Sequence, residues 1–294
     1  MQPDSRSRFL IETCDARGQL VHLDRCWAEA TARTDYPANV KTILGEAFVA
    51  TALLAGTIKF EGKLTLQVRG SGDVHLLVVQ ITSDGNMRGL ARWEQVPADT
   101  VPASVFGEDA RMTITIEPDQ YSEPYQGIVP LEGASLADAI RHYFAASEQL
   151  QTQVYFAVSD TAVAGFLIQA MPTSEQTSND HDSWSRAVAL ADTLSNEELL
   201  AENVQTLLHR LYHEEQVRLY PPTQLQFLCN CSRERTDGML IGLGEPEVLD
   251  IIKEQGNVRI DCEFCDENYT YDAVDIAALF KGYVSGDDNS GTTH

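Results

Sequence analysis

The chain has 294 residues, of which 43% are hydrophobic, so it can bury the core of one large domain or two smaller ones and is not disordered as a whole. Its formal net charge is −23, with 44 acidic residues against 21 lysines and arginines. Such an acidic chain repels phosphate backbones, which argues against nucleic acid as a partner.

The start of the chain gives no sign of a targeting segment. MQPDSRSRFLIET lacks the apolar stretch of a signal peptide. The most apolar run, residues 47–58, is shorter than the ~20 residues that cross a bilayer. We therefore expect a cytoplasmic protein with no membrane partner.

Residues 1–170 predict an α+β domain. Turn signals at 70–73 (GSGD) and 84–86 (DGN) separate segments in which polar and apolar residues alternate. A helix with an apolar 3.6-residue period follows Tyr36, and Ser135 with Asp138 resembles the capping box of another helix. Because strands outnumber helices, we expect a mostly antiparallel sheet with helices on one face. The predicted strands are RFLIET, QLVHLD, LTLQVRG, DVHLLVVQIT, MRGLARW, RMTITIE, VYFAVS and VAGFLIQAM.

A helical linker is predicted next. The polar stretch PTSEQTSNDHDS at 172–183 indicates a domain boundary, and residues 184–216 have the pattern of amphipathic helices. Ser195 and Glu198 form a capping box at the start of the second helix. Short helices are marginal in water on their own, so these must dock on a neighbouring surface. Their apolar residues are Trp184, Val188, Ala191 and Leu194, then Leu200, Val204, Leu207, Leu208 and Leu211.

The last part of the chain predicts a small module. Glu245-Pro246 favours a helix start and Gly256 a C-cap, bracketing VLDIIKEQ. NVRID and YTYD flank CEFC as a hairpin, and DIAALF predicts a short final helix. The predicted organisation is an N-terminal core domain (1–174), a helical linker (175–222), a small C-terminal module (223–286) and a disordered tail (287–294).

Four of the six cysteines fall in this module, as Cys229-x-Cys231 and Cys262-x-x-Cys265. A module this small has little core and often needs a further constraint. Four thiolates around one Zn²⁺ would supply it, since structural zinc contributes about 10–16 kcal/mol of apparent binding energy to small folds. The two-plus-two spacing therefore predicts one Zn²⁺ bound by these four cysteines.

The spacing within each pair leaves a redox role open. Thiols one residue apart close into a small, strained disulfide ring, and strained disulfides are the labile, regulatory ones. C-x-x-C is also the spacing of dithiol redox motifs. Three alternatives therefore stand side by side: a redox switch, a zinc adaptor that binds a folded partner with its metal always in place, and a thiol–disulfide oxidoreductase.

The cysteine motifs CNCSRER and CEFC resemble those of the redox-regulated heat-shock holdase family known as the 33 kDa chaperonin. YQGIVPLEG, EQLQTQVYFAV, GFLIQAMP, LLHRLYHEE and CEFCDENYTY are similar too, so the resemblance covers nearly the whole chain. It implies a reduced, zinc-bound, inactive form. Oxidation would pair Cys229 with Cys231 and Cys262 with Cys265, release zinc and unfold the module and linker. The product would be an active homodimer that holds unfolded or partly unfolded proteins without ATP and is not an enzyme.

The linker supplies the candidate client-binding residues, Trp184, Leu200, Leu207 and Leu211. If zinc leaves, these apolar side chains would meet unfolded clients. The alternative is that they belong to a permanent core, as most amphipathic stripes do.

Two further pairs of residues are given structural interpretations. Cys14 and Cys26 are expected to be buried core residues. His209 and His213 have helical spacing but lack the HExxH pattern of a metalloprotease, so a solvated or capping role is expected. The sequence also has no Gly-rich phosphate loop, which argues against an ATP-driven chaperone.

Overall fold

The structure is a computed structural model that describes residues 4–118, 123–131, 133–171 and 182–287. The chain divides into two compact units, Met1–Leu228 and Cys229–His294. Both contain helices and strands, which confirms the predicted α+β class.

Most of the predicted strands are present among the described residues. The alternation of polar and apolar side chains identified them, because successive side chains of a strand point to opposite faces of the sheet. The edge strand β7, at Tyr125–Pro130, and three short strands between Val217 and Phe227 were not predicted. In chain order the strands are β1 (Ser5–Ile11), β2 (Ala16–Leu23), β3 (Gly62–Arg69), β4 (Val74–Thr82), β5 (Asn86–Trp93), β6 (Arg111–Pro118), β7, β8 (Thr152–Val158), β9 (Val163–Ala170), β10 (Val217–Leu219), β11 (Thr223–Gln224), β12 (Gln226–Phe227), β13 (Val258–Asp261) and β14 (Asn268–Tyr271).

The described helices include the predicted ones and three that the sequence did not indicate, α1, α3 and α8. In chain order they are α1 (Arg25–Thr31), α2 (Ala38–Thr57), α3 (Pro102–Phe106), α4 (Leu136–Tyr143), α5 (Ser183–Ala191), α6 (Asn196–Ala201), α7 (Val204–Tyr212), α8 (Arg233–Leu243), α9 (Glu245–Gln255) and α10 (Ala273–Asp287).

The first unit contains two sheets rather than a single one. Sheet A has the strand order β10-β1-β2-β9-β8, with β11 also paired to β1, and sheet B has the order β12-β5-β4-β3-β6-β7. Neighbouring strands are antiparallel, apart from the parallel pairing of the short β12 with β5. The predicted antiparallel character is therefore confirmed.

Helix α2 lies between the two sheets and forms the centre of the first unit's core. Its side chains pack against β2, β8 and β9 of sheet A and against β3, β4 and β5 of sheet B. The ring of Phe48 on this helix lies edge-on to Trp27, with ring centroids 5.8 Å apart. By length and composition α2 could cross a bilayer, but 72% of its apolar stretch is buried inside the protein, as expected of a core helix that is apolar on all sides.

Helices α5, α6 and α7, which we call the linker helices, pack on the face of sheet A opposite α2. Alternation along β9 explains this: Leu167 faces the α2 core, whereas Phe166 and Ile168 face the linker helices. The Ser195–Glu198 capping box is present at the start of α6. The second predicted helix is divided in two, since the residue before Asn203 is extended and the Asn203 side chain caps α7.

Residues 217–228, which we call the connecting segment, follow α7 and remain paired to the first unit. β10 and β11 pair with β1, and β12 pairs with β5. The structure thus divides the chain after Leu228, later than the sequence-based boundary at 223. Of the predicted boundary stretch and the tail, residues 172–181 and 288–294 lie outside the described residues.

The second unit packs α8, α9 and α10 around the hairpin β13–β14. Helix α9 begins at Glu245 and ends at Gln255, and the C-cap is Gly256 with a φ of 83°, as predicted. Helix α10 is longer than the predicted DIAALF. The buried core of this unit is small and consists of Leu240, Val248, Val258, Tyr271, Ile276 and Phe280.

Candidate metal centre

The four predicted cysteines meet at one point of the second unit. Their Sγ atoms all lie within 4.8 Å of one another. The Sγ of Cys229 is 3.5 Å from that of Cys262, and the Sγ of Cys231 is 3.3 Å from that of Cys265. Each of these contacts joins one half of the motif to the other, and each is longer than the roughly 2.05 Å of a disulfide bond.

The C-x-x-C half lies in the loop of the β13–β14 hairpin. The backbone N–H groups of Cys265 and Asp266 donate to the Cys262 carbonyl, at 3.3 and 2.7 Å, and close a tight turn. Asp266 takes a left-handed conformation with φ of 51°, which short polar residues tolerate better than most. The backbone N–H of Phe264 donates to the Cys262 sulphur, and that of Glu267 donates to the Cys265 sulphur. The turn thus directs N–H groups at both sulphurs.

The C-x-C half lies immediately before α8. Ser232 caps this helix by accepting a hydrogen bond from the Arg235 N–H. Arg233 then fixes the first turn, because its guanidinium lies 4.3 Å from the centre of the Tyr271 ring and 3.3 Å from the Asp275 carboxylate. Cys231 is therefore placed by contacts that reach both the hairpin and α10.

The protein environment by itself favours the thiol form of Cys262 and Cys265. Burial raises the pKa of Cys262, although the N–H groups of Phe264 and Cys265 oppose that shift. Burial, followed by hydrogen bonds from neighbouring cysteines, raises the pKa of Cys265 further. A bound cation would stabilise the thiolates that the surroundings disfavour.

The sulphur cluster fits a tetrahedral metal ion. Zn–S bonds of about 2.3 Å place neighbouring sulphurs of a tetrahedron about 3.8 Å apart. The two measured contacts of 3.5 and 3.3 Å and the overall limit of 4.8 Å bracket that spacing. Cys265 is buried and the other three cysteines are half-buried, so the cluster is held by the fold and still reachable by small reagents.

Tyr269 is a neighbour of the cluster that the sequence did not indicate. A hydrogen bond with Cys231 raises the pKa of the Tyr269 hydroxyl. Tyr269 stands on β14 directly opposite Ile260, so the hairpin register brings its ring beside the cluster. Only its position in YTY, four residues after Cys265, could have suggested this contact.

The candidate client-binding residues all pack on the first unit. Leu207 and Leu211 are 1% and 8% exposed, and Trp184 and Leu200 lie half-buried against the same apolar cluster. The Leu200 carbonyl is 3.1 Å from the Nε2 of His22 on sheet A. In this structure, therefore, all four residues contribute to packing.

The remaining predicted side chains agree with their structural interpretations. Cys14 and Cys26 are 2% and 1% exposed, which confirms that they are core residues. His209 on α7 and His213 at its C-cap are both exposed, with ring centroids 6.1 Å apart.

Comparison with known proteins gives consistent matches over nearly the whole chain. A sequence model of the Hsp33 protein family matches residues 4–272. The 33 kDa chaperonin of Pseudomonas aeruginosa (strain LESB58) is 43% identical over 95% of this chain and 95% of its own length. That of Pseudomonas putida (strain GB-1) is 44% identical over 95% of this chain and 94% of its own length.

A solved structure shows that the fold is shared as well. The crystal structure of the 33 kDa chaperonin (heat shock protein 33 homolog) from Thermotoga maritima is similar with a TM-score of 0.80. The match covers 96% of this chain and 99% of that chain, at 21% sequence identity.

Proposed function

The chain belongs to the Hsp33 family, and from that premise we propose that it is a redox-switched chaperone that holds unfolding proteins without ATP. Membership makes it a heat-shock chaperone, whose partners are unfolded client proteins. Our proposal concerns the control of that activity. In the reduced state one Zn²⁺, bound by Cys229, Cys231, Cys262 and Cys265, keeps the chaperone inactive.

The observation that carries this proposal is the cysteine cluster inside a unit with a very small core. Six buried apolar residues support the second unit, while four sulphurs lie close enough to share one metal. Structural zinc is worth on the order of 10 kcal/mol to such folds, which is comparable with the whole stability of a small domain. Oxidation of the sulphurs would therefore unfold this unit.

We propose that oxidation by a peroxide joins Cys229 to Cys231 and Cys262 to Cys265. Each disulfide forms as two thiolates give two electrons to the oxidant, and each removes two metal ligands. The shortest contacts described above run between the halves, but the metal holds those halves together. Once zinc leaves, only the one- and two-residue spacings keep two sulphurs close, which favours local pairing.

Client binding is assigned to the apolar side of the linker helices. Leu207 and Leu211 are sealed against sheet A, and Trp184 and Leu200 lie at the margin of the same cluster. If loss of zinc shifts the population towards a state with these helices released, the four side chains meet solvent together. The high negative charge would keep that open form soluble. We further propose that the oxidised chaperone is a homodimer and acts in the cytoplasm.

Peroxide with mild heat tests the switch. We expect one Zn²⁺ per chain to be released, aggregation of a thermally unfolded client to be suppressed, and hydrogen exchange to rise across 184–216. Peptide mapping should show the 229–231 and 262–265 disulfides. A Cys14→Ala, Cys26→Ala variant is the matched control, because it keeps the four cluster cysteines and should respond identically.

Other outcomes would identify the alternatives. A zinc adaptor would lose partner binding on oxidation, and an oxidoreductase would turn over dithiol substrates. Predominant cross-linkage of Cys231 to Cys262 would contradict two local switches. If aggregation is suppressed while exchange across 184–216 stays unchanged, the client surface lies elsewhere, and the faces of the first unit's sheets become the next candidates.

A further inference from the structure

A group of positive side chains lines an open cleft in the first unit, at the C-terminal end of α2 and beside sheet A. Arg6, Arg8, Arg17 and Lys59 all border this cleft, whose volume is about 480 Å³. We call it the basic cleft. The cleft also presents hydroxyl groups, from Thr57, Thr82, Ser83 and Thr223.

The charge of the basic cleft is opposite to that of the chain. Acidic residues outnumber basic ones by 44 to 21, yet no carboxylate belongs to the described residues that line the cleft. Elsewhere in this unit cations pair with acids, for example Arg186 with Glu215 and Lys63 with Glu117. Glu61 and Asp84 directly follow the lining residues Phe60 and Ser83, so within the screening length of about 8 Å the four cations must outweigh these two carboxylates.

Protein contacts explain the positions of two of these cations, Arg6 and Arg17. Arg17 donates from Nε and Nη2 to Oε1 of Gln169, at 2.8 and 2.5 Å. Arg6 donates from Nη1 to the Ala52 carbonyl at 3.0 Å, near the negative end of the α2 dipole. Its Nε is buried without a hydrogen-bond partner among the described residues. Burial, and then the charge of Arg8, lowers the pKa of Arg6 to about 10, which leaves it cationic at neutral pH. Arg8 and Lys59 are exposed and contribute charge to the cleft without supporting the core.

Gly56 keeps the floor of the cleft open. A Cβ atom at this position would lie 1.8 Å from Oε1 of Gln19 and 2.8 Å from Cδ of Arg6. Any larger residue would displace both side chains. A second cavity of about 340 Å³ continues from here, sharing Arg8, Arg17 and Gly56.

We propose that the basic cleft binds a small anion that carries several phosphate groups. Guanidinium groups offer planar pairs of donors that match phosphoryl oxygens, and hydroxyl groups can complete the coordination. The volume falls within the range of small-molecule sites. This site uses none of the cysteines, so it is independent of the redox switch.

Binding would also reach the connecting segment. Thr223 on β11 lines the basic cleft, and Tyr220 lines the adjoining cavity. The Tyr220 ring centre is 6.0 Å from the Arg8 guanidinium carbon. A bound anion would therefore slow local opening of residues 217–224.

Calorimetry with tripolyphosphate on the reduced, full-length protein tests the proposal. We expect one ion per chain, with affinity that falls as salt rises. An Arg8→Gln, Lys59→Gln variant should bind about tenfold more weakly, because two charge-assisted contacts are lost. The matched control is Arg25→Gln, Arg69→Gln, which removes the same charge from exposed positions outside the cleft. It should bind as the unchanged protein does.

If tripolyphosphate binding is weakened equally in both variants, the effect comes from net charge alone and the basic cleft is not the binding site. An absence of binding, or preference for a short single-stranded oligonucleotide over tripolyphosphate, would also overturn the proposal. Hydrogen exchange locates the bound ligand independently of the two variants. Slower exchange on ligand addition at residues 6–8 and 217–224 supports the basic cleft, and slower exchange confined to other segments contradicts it.

Discussion

The first unit places helix α2 between two sheets, whereas the described part of the second unit has a small core of six buried apolar side chains beside four cysteines. Each large apolar side chain removed from water contributes about 1.5–3 kcal/mol. Trp27, Phe48 and Tyr143 are among many such side chains in the first unit. The stability of the first unit is spread over many contacts, whereas that of the second unit, on our proposal, depends on the metal bound by its four cysteines. On our proposal, a reagent that attacks thiols would therefore unfold the second unit first and leave the core around α2 intact.

The linker helices pack on the first unit, and the chain continues from them into the second unit. Their apolar side closes one face of sheet A, and the connecting segment continues from α7 along β1 and β5. Release of the linker helices thus requires disruption of contacts inside the well-packed unit. This difference between the units can be tested by changes that should affect one and leave the other intact.

The largest effect is expected from removing half of the cluster. A Cys262→Ser, Cys265→Ser variant should lose its zinc, and with it on the order of 10 kcal/mol of support for the second unit. Metal analysis and hydrogen exchange would measure this. We expect the second unit to exchange rapidly while α2 and both sheets stay protected. Full zinc occupancy in this variant would refute the assigned ligand set.

The next largest effect should come from a cavity in each core. Phe48→Ala should destabilise the first unit by about 3–5 kcal/mol and leave zinc bound. Phe280→Ala is the corresponding change in the second unit, because Phe280 belongs to its small core. It should weaken zinc retention without lowering the denaturation midpoint of the first unit. Denaturation midpoints and zinc release under a competing chelator would be measured for both. If Phe48→Ala released zinc as readily as Phe280→Ala, the two units would not be energetically separate.

The sequence predicted that the four cysteines form one cluster because the spacing within each pair is local. Cys262 and Cys265 lie in one tight turn, and Cys229 and Cys231 lie just before a helix. The local chain therefore brings the two members of each pair together. Strand alternation and capping residues such as Ser135 likewise identified most elements of the first unit. Tertiary contacts then determine how those elements associate, which is why the division into two sheets was not visible.

What the sequence did not indicate depends on contacts between distant segments. Helix α8 buries only Leu240, so it has no apolar stripe that could have predicted it. The apolar pattern runs without a break from α6 into α7, although the helix is interrupted before Asn203, whose side chain caps α7. The basic cleft gathers residues from β1, β2, the end of α2 and β11, which no spacing rule connects.

A smaller effect is expected at two equivalent helix caps. Ser195 accepts a hydrogen bond from the Glu198 N–H at 3.2 Å, and Ser232 accepts one from the Arg235 N–H at 3.4 Å. Replacing either serine by alanine should cost about 1 kcal/mol. Ser195→Ala should raise hydrogen exchange mainly in the linker helices, and Ser232→Ala should mainly increase zinc loss. A change of zinc retention in Ser195→Ala would show that linker and metal centre are coupled in the reduced state.

The smallest expected effect is a pH dependence of the linker contacts at Glu215. The Glu215 carboxylate accepts a hydrogen bond from Nε of Arg186 on α5 at 2.7 Å and another from the Thr13 hydroxyl, so it ties the linker helices to the turn after β1. The hydrogen bond from Arg186, more than any other cause, lowers the pKa of Glu215 below its ordinary 4.5. A carboxyl whose pKa is depressed on folding stabilises the fold above its unfolded pKa, and this contribution is lost as the pH falls through the folded pKa.

We therefore expect the linker helices to loosen as the pH falls below 4.5, with a loss of about 1 kcal/mol or less because Arg186 is partly exposed. Glu215→Gln should be less stable at neutral pH and should lack this step. Fluorescence of Trp184, taken as the difference from a Trp184→Phe variant, would follow the linker helices. Acid also protonates the zinc ligands, but it does so equally in both proteins, so the difference between them isolates Glu215. If the two pH profiles coincide, this ion pair does not help to hold the linker helices on the first unit.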